Sequence, residues 1–173
     1  MTTVRNDFFK LGEKFATVIG DDVQVGQFAP EFTSAGQDWS AVSPVAASRG
    51  KVAILSAVPS LDTPVCDRET RKFNLEAASL GEDIVIWVIS TDFPMAQKRW
   101  CGAAGVDKVR VVSDVLEAEF GEKYGLLIKE RRYLRRAVFV LDRAGKLVYV
   151  DYMKTNGEEP NYAEVLAAAK AAL

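Results

Sequence analysis

The sequence predicts a single α/β domain built around a mixed β-sheet, and three observations support this prediction. From residue 52 onward, apolar runs typical of buried strands alternate with helical segments, which favours parallel strands joined by crossover helices. Near the C-terminus, two strand-like runs flank the turn at 142–145, and this arrangement predicts an antiparallel hairpin. The length of 173 residues, with 49% hydrophobic and 27% charged residues, suits one globular domain. We therefore expect one domain spanning residues 1–173.

The first 50 residues show weaker secondary-structure patterns than the rest of the chain. Short β-prone runs at 8–10 and 15–18 flank Gly12 and predict an N-terminal β-hairpin that closes one end of the domain. Beyond it, the sequence predicts a loop at 25–30 and then a second pair of strands at 31–35 and 39–42.

From Val52 the predicted elements follow one another regularly. The run at 84–90 is apolar without interruption, as expected for a strand that is covered on both faces. Gly102 and Gly105 are expected to end the second helix. The predicted strands are 52–58, 84–90, 109–112, 137–141 and 146–152. The predicted helices are one that starts near Cys66, runs through 67–78 and ends near Gly81, and those at 95–104, 117–124 and 162–173. Together they predict a central mixed sheet flanked by helices.

One stretch joins the first of these strands to its helix. Pro59 ends the strand, because proline has no N–H for the sheet ladder. Asp62 and Thr63 are favoured N-cap residues, and Pro64 is tolerated in a first helical turn. These residues place Cys66 at the start of a helix, just beyond the end of a central strand. Free amides and the macrodipole at a helix N-terminus favour a thiolate over a thiol.

The helix that begins near Cys66 has one apolar face. Steps of three and four residues place on that face Cys66, Thr70, Phe73, Ala77 and Leu80. Its thiol is therefore expected at the rim of a pocket rather than in open solvent. The alternative interpretation is that Cys66 is a small buried hydrophobic residue without chemistry. The strand–proline–helix setting favours the reactive interpretation.

Composition excludes several kinds of chemistry. The chain has no histidine, so Ser-His-Asp catalysis, Cys-His catalysis and most zinc sites are excluded. Its two cysteines are too few for a four-cysteine metal site, and they are either inert thiols or a redox pair.

Charge and hydropathy indicate which binding partners and which cellular location to expect for the protein. The formal net charge is −2, so no basic field attracts nucleic acid or an anionic membrane. Residues 1–7 lack the apolar segment of a signal peptide, and no run approaches the roughly 18 apolar residues of a membrane span. We expect a cytoplasmic protein that binds neither nucleic acid nor membranes.

Three residues of the connecting stretch form a known motif. Pro59, Thr63 and Cys66 give PxxxTxxC, which is the active-site motif of peroxiredoxins. The longer run PSLDTPVCDRETRKFN resembles the thiol peroxidase subfamily, the atypical two-cysteine peroxiredoxins, which use two cysteines of one subunit. A weaker likeness is the order VG-x-x-AP-x-F at residues 25–32. The resemblance implies a thioredoxin-like fold, peroxide substrates, thioredoxin as the reductant and a homodimer.

The second cysteine, Cys101, lies near the end of the helix predicted at 95–104. The aromatic-Cys-Gly-Ala sequence at 100–103 resembles the segment in which the subfamily carries its resolving cysteine. The alternative is a packed helix cysteine, and the separation from Cys66 is too large for a CxxC motif. A disulfide needs Cα atoms within about 7 Å. Because each cysteine is expected on a different helix, we expect one helix end to unravel when they bond.

Four arginines cluster before and at the start of the strand at 137–141. We interpret three of them, Arg131, Arg132 and Arg135, as part of a solvated face. Arg136 differs, because it directly precedes an Ala-Val-x-Val-Leu-Asp strand, as the active-site arginine of thiol peroxidases does. A guanidinium keeps its charge at every working pH and holds its donors in a rigid fork.

The resemblance implies a mechanism for these residues. Cys66 attacks a peroxide and becomes a sulfenic acid, which Cys101 resolves as an intramolecular disulfide that thioredoxin reduces. Thr63 and Arg136 hold the peroxide, aided by backbone amides near Val65, and no metal or organic cofactor is required. Pro59 shields the pocket from water.

Three other functions are compatible with part of the sequence. A general disulfide oxidoreductase of the thioredoxin type is disfavoured by the missing CxxC motif. A non-catalytic redox sensor needs only a reactive thiol, and a structural domain needs neither cysteine to react. Thr63 and Arg136 discriminate in favour of the peroxidase, since only peroxide reduction requires groups that hold oxygen atoms.

Overall fold

Two β-sheets organise the protein, for which a computed structural model describes all residues, 1–173. The larger sheet has seven strands in the order β11-β10-β5-β6-β7-β3-β4. Its strands are β3 (Ser34–Ala35), β4 (Ala41–Val42), β5 (Val52–Ala57), β6 (Ile84–Ser90), β7 (Arg110–Ser113), β10 (Ala137–Leu141) and β11 (Leu147–Tyr152). β5, β6 and β7 are parallel, while the remaining pairings are antiparallel. The predicted mixed sheet is confirmed.

The smaller sheet is antiparallel and has the order β1-β2-β8-β9. It contains the predicted N-terminal hairpin, β1 (Val4–Leu11) and β2 (Lys14–Ile19), which is longer than the sequence indicated. The sequence did not predict its other two strands, β8 (Leu127–Ile128) and β9 (Tyr133–Leu134). Two residues are too few to show a strand periodicity, and these strands are defined by pairing with distant residues, β8 with β2 and β9 with β8.

Five helices accompany the sheets. They are α1 (Pro44–Ala47), α2 (Pro64–Leu80), α3 (Pro94–Ala104), α4 (Glu119–Lys123) and α5 (Tyr162–Ala171). The sequence did not predict the one-turn helix α1, and it predicted α4 to be longer. Gly102 does not end α3 but lies inside it, whereas Gly105 ends that helix with a left-handed backbone, φ 65°. None of the helices is both long and apolar enough to span a bilayer.

The central strands position the two helices that carry the cysteines. β5 is buried along its whole length, between β10 and β6. The connections from β5 to α2 and from β6 to α3 start at the same edge of the sheet, because the two strands are parallel neighbours. Cys66 and Cys101 contribute to one hydrophobic cluster with β5, β6 and α5. The fold therefore places both cysteine helices over the same part of the core.

Candidate active site

Cys66 is the third residue of α2 and is fully buried. Thr63 is the N-cap, in an extended conformation with φ −98° and ψ 144°, and Pro64 is the first helical residue, as predicted. The first helical hydrogen bond runs from the Asp67 amide to the Thr63 carbonyl, at 3.0 Å. The amides of Val65 and Cys66 precede it and have no acceptor in the chain. This end of the helix is therefore suited to a negative charge.

The Thr63 hydroxyl does not cap the helix but contacts the sulfur of Cys66. Its Oγ1 lies 2.7 Å from Cys66 Sγ and 2.8 Å from the Ser60 carbonyl oxygen. A hydroxyl has one hydrogen, so it can donate to only one of these two atoms. When Cys66 is a thiol, its S–H can donate to Thr63, which then donates to Ser60. When Cys66 is a thiolate, Thr63 is free to donate to the sulfur.

Arg136 provides the cation of the site. It immediately precedes β10, its side chain is 1% exposed, and its Nη2 lies 3.2 Å from Cys66 Sγ. Nε and Nη2 donate to the Asn156 carbonyl at 3.3 and 2.9 Å. Nη1 donates to the Glu69 carboxylate. The guanidinium is therefore fixed from three directions, with one N–H directed at the sulfur.

Glu69 balances the buried guanidinium. It is fully buried on α2, three residues after Cys66, and it also accepts a hydrogen bond from the Ser56 hydroxyl at 2.8 Å. Burial raises the pKa of Glu69 to about 7, against the opposing effects of Arg136 and Ser56. Burial also acts to lower the pKa of Arg136, but the charges of Glu69 and Cys66 outweigh it and raise that pKa. The guanidinium therefore stays charged beside the sulfur.

A pocket of about 160 Å³ opens beside these groups. It is lined by Pro59, Ser60, Thr63, Pro64, Val65, Tyr133, Arg136 and Asn156. All four predicted substrate contacts, at positions 59, 63, 65 and 136, thus share one pocket next to Cys66.

Asp92 fixes the loop that precedes α2. Its carboxylate accepts hydrogen bonds from the Ser60 hydroxyl at 2.7 Å, the Leu61 amide at 2.8 Å and the Ser90 hydroxyl at 2.7 Å. Because the Ser60 carbonyl in turn accepts from Thr63, the position of the Thr63 hydroxyl depends on this carboxylate. The sequence did not indicate this role, since Asp92 lies 32 residues beyond Ser60.

Cys101 has different surroundings. It lies in α3, is 8% exposed, and is a free thiol, as is Cys66. Its only polar side-chain contact is Gln37, whose Nε2 lies 3.6 Å from Cys101 Sγ. Burial raises the pKa of the Cys101 thiol, and the Gln37 contact opposes that shift. The structure thus brings Thr63 and Arg136 to Cys66 but leaves Cys101 with other partners.

The prediction for Arg135 is wrong. Arg131 and Arg132 are exposed, but Arg135 is 4% exposed. Its Nη1 lies 3.1 Å from Asp22 and its guanidinium carbon lies 4.3 Å from the Tyr152 ring centroid. These partners are distant in sequence, so the charge run alone could not show that one member is buried.

Three further residues at the site, Glu69, Tyr133 and Asn156, were missed. For Glu69 a signal existed, because it lies one turn after Cys66 and next to the apolar face of its helix. Asn156 and Tyr133 lie outside long regular elements, and no local pattern indicated them.

The chain is similar to known proteins over most of its length. The model of the Redoxin family matches residues 24–166. The thiol peroxidase of Bacillus subtilis (strain 168) is 50% identical over 155 residues, 90% of this chain and 92% of the relative. The thiol peroxidase of Staphylococcus aureus (strain MRSA252) is 45% identical over 151 residues, 87% of this chain and 90% of the relative.

Solved structures show the same fold. A peroxiredoxin-like protein from Aquifex aeolicus superposes with a TM-score of 0.86 at 36% identity, covering 99% of both chains. A thiol peroxidase from Chromobacterium violaceum superposes with a TM-score of 0.81 over 94% of this chain and 95% of its own, and at 19% identity it supports the fold alone.

The chain belongs to the Redoxin family, whose model covers most of its length. The predicted thioredoxin-like fold is confirmed by its structural neighbours. Within the family it is a peroxiredoxin-type peroxidase, as the thiol peroxidases among its relatives establish. The peroxidase function and the enzyme class predicted from the sequence are thereby confirmed.

Proposed function

We propose that the protein reduces hydrogen peroxide and organic hydroperoxides by a two-cysteine cycle in which Cys66 is oxidised and Cys101 resolves it. The observation that carries this proposal is that Arg136 Nη2 and Thr63 Oγ1 lie 3.2 and 2.7 Å from Cys66 Sγ at one small pocket. A reactive thiol alone would serve a redox sensor. Two further groups that can bind oxygen atoms favour peroxide chemistry.

In the first step, the Cys66 thiolate attacks one oxygen of the peroxide. The S–O bond forms as the O–O bond breaks, and the leaving hydroxide or alkoxide takes a proton and departs as water or an alcohol. Arg136 stabilises the negative charge as it moves from sulfur to the leaving oxygen, and the free amides of Val65 and Cys66 add two donors. The Thr63 hydroxyl orients the peroxide, and Pro59 excludes water from the pocket. Cys66 becomes a sulfenic acid.

In the second step, the thiolate of Cys101 attacks the sulfur of oxidised Cys66. An S–S bond forms, the S–O bond breaks, and the oxygen leaves as water after protonation. Thioredoxin then reduces the disulfide by thiol–disulfide exchange, as the sequence resemblance implies, and the enzyme acts as a homodimer. The cycle uses no metal or organic cofactor, since peroxide supplies the oxidant and a dithiol supplies the electrons.

The test is peroxide consumption with thioredoxin, thioredoxin reductase and NADPH. Wild type should turn over, and Cys66→Ser should lose turnover while keeping its fold, because the substitution is nearly isosteric. Lys72→Ala, which changes an exposed side chain of the same helix, serves as the control and should match wild type. A parallel assay with dithiothreitol separates a wrong reductant from a wrong nucleophile. Turnover by folded Cys66→Ser would contradict the proposal.

A further inference from the structure

Three side chains tie the helix that carries Cys101 to the helix that carries Cys66. Trp100 Nε1 donates to Asp67 Oδ1 at 3.2 Å, and Arg71 Nε contacts Asp67 Oδ2 at 2.9 Å. The guanidinium carbon of Arg71 lies 5.6 Å from the Trp100 ring centroid, and its Nη1 donates to the Ala104 carbonyl at 3.3 Å. We name Asp67, Arg71 and Trp100 the interhelix cluster.

The interhelix cluster lies directly beside both cysteines. Asp67 follows Cys66 in α2, and Trp100 precedes Cys101 in α3. Both thiols are free in this structure, and each has its own partner: Arg136 for Cys66 and Gln37 for Cys101. The cluster therefore stabilises an arrangement in which the two sulfurs are not bonded.

The last turns of α3 pack in the hydrophobic cluster but have few polar side-chain contacts outside the interhelix cluster: Gln37 contacts Cys101, and Asn74 Oδ1 accepts from the amides of residues 107–109 only beyond the end of the helix. Gly102 lies inside the helix, where glycine is less favourable than alanine, and Gly105 ends it. The first half of α3 is better anchored, because buried Gln97 donates to the Ser90 hydroxyl at 3.1 Å and to the Val112 carbonyl at 2.9 Å. Local opening should therefore be confined to the last turns, where the interhelix cluster contributes most of the polar contacts.

We propose that the interhelix cluster sets the rate at which Cys101 reaches oxidised Cys66, with Asp67 and Trp100 as positioning residues for resolution. The proposal rests on the two-cysteine cycle above. Opening breaks the Trp100–Asp67 hydrogen bond and frees the Cys101 thiol, which then displaces water from the Cys66 sulfenic acid. A second peroxide competes by adding one oxygen to the sulfenic acid, giving a sulfinic acid and water or an alcohol. The strength of the cluster thus decides how oxidised Cys66 divides between disulfide and sulfinic acid.

The opening step can be measured without peroxide. In a Cys66→Ser background, the reaction of Cys101 with an aromatic disulfide reagent reports how often the end of α3 opens. Asp67→Ala and Trp100→Phe should each speed this labelling about fivefold, the effect of losing one hydrogen bond. Asp67→Asn, which keeps an acceptor for Trp100, should give an intermediate rate.

The matched control is Lys72→Ala. It breaks the Lys72–Glu76 pair, which lies on the same helix with the same spacing as Asp67–Arg71 and the same 2.9 Å distance but makes no hydrogen bond or ion pair to α3. Its labelling rate should equal that of the parent. Equal rates in all variants, or the same acceleration in the control, would overturn the proposal.

The effect of the interhelix cluster on disulfide formation is measured in protein that retains both cysteines. After rapid mixing with peroxide, Trp100→Phe and Asp67→Ala should form the disulfide about fivefold faster, and excess peroxide should leave less sulfinic acid by intact mass. Slower disulfide formation or more sulfinic acid would overturn the proposal. Oxidation of Cys66 is timed separately in each variant. A wild type whose Cys66 is never oxidised would refute the two-cysteine cycle, while the labelling result would still report the opening of α3.

Discussion

Cys66 and Cys101 are both buried free thiols in the same hydrophobic cluster, yet their polar surroundings are opposite. Cys66 lies at a helix N-terminus and is contacted by a guanidinium and a hydroxyl, with two free amides nearby. Cys101 lies within the last turns of a helix and is contacted by one amide side chain at 3.6 Å. Burial fraction alone does not distinguish them. Because a positive charge and donors near a sulfur favour its thiolate, the difference predicts that Cys66 is oxidised before Cys101.

The largest expected effects come from removing the donors at Cys66. Arg136→Lys keeps the charge but loses the rigid fork, and Thr63→Val keeps the shape but loses the hydroxyl. Each should slow the first oxidation of Cys66 by about 10²–10³, which is typical for a lost transition-state donor. Stopped-flow oxidation with hydrogen peroxide measures this rate.

The neighbouring arginine provides the matched control for that experiment. Arg135 is also buried and ion-paired, but with Asp22 rather than with the groups at Cys66. Arg135→Lys should therefore leave the oxidation rate of Cys66 at the wild-type value. An equal loss of oxidation rate in both arginine variants, or no loss in either, would show that Arg136 has no specific role in the oxidation of Cys66.

The next prediction concerns Glu69, the buried carboxyl group near Cys66, and the pH dependence that it gives to the free energy of unfolding. Burial raises the pKa of Glu69 from 4.5 to about 7, so between these values the folded state holds a proton that the unfolded state releases. The free energy of unfolding should therefore fall as pH rises from about 4.5 to about 7. Urea unfolding across this range should show a shallower fall in Glu69→Gln, which cannot bind that proton.

Because Asp114 is also buried, the pH dependence of wild-type stability cannot by itself be assigned to Glu69, and the test must compare wild type with Glu69→Gln. Burial raises the pKa of Asp114 to about 7 as well, so it contributes a fall of the same sign in both proteins. Only the difference between wild type and Glu69→Gln reports Glu69. Parallel curves would show that Glu69 titrates as it does in the unfolded chain.

The smallest expected effect concerns Gln37 at the second cysteine. Its contact opposes the raised pKa of Cys101, so Gln37→Met should move that pKa further up. In a Cys66→Ser background, the pH profile of Cys101 alkylation should shift to higher pH, and the rate at pH 8 should fall about two- to threefold, since only the thiolate reacts. An unshifted profile would show that Gln37 does not affect the pKa of the Cys101 thiol.

The sequence was sufficient to predict the strand–proline–helix unit, because its signals are local. The apolar run of β5, the stop at Pro59 and the tolerance for Pro64 in the first turn place Cys66 without any knowledge of distant residues. The resemblance added Arg136, which the structure brings within 3.2 Å of Cys66 Sγ across 70 residues.

The residues that could not be predicted depend on tertiary contacts. Arg135 is buried because Asp22 and Tyr152 come to it from distant parts of the chain. Asn156 lies in a loop and contributes mainly its backbone carbonyl, which no side-chain pattern reveals. The two-residue strands are likewise defined by tertiary pairing, since β8 pairs with the hairpin strand β2 and β9 pairs with β8.

The most direct test of the unequal roles of the two cysteines is to locate the first oxygen atom. Reduced protein is mixed with one equivalent of hydrogen peroxide, quenched at increasing times with a sulfenic-acid trap, and mapped by peptide mass. We predict that trapped oxygen appears first on Cys66 and gives way to a Cys66–Cys101 disulfide, a loss of two hydrogens, and that Cys101→Ser retains the oxygen on Cys66. Oxygen that appears first on Cys101, or a covalent dimer in place of the intramolecular bond, would contradict the assignment.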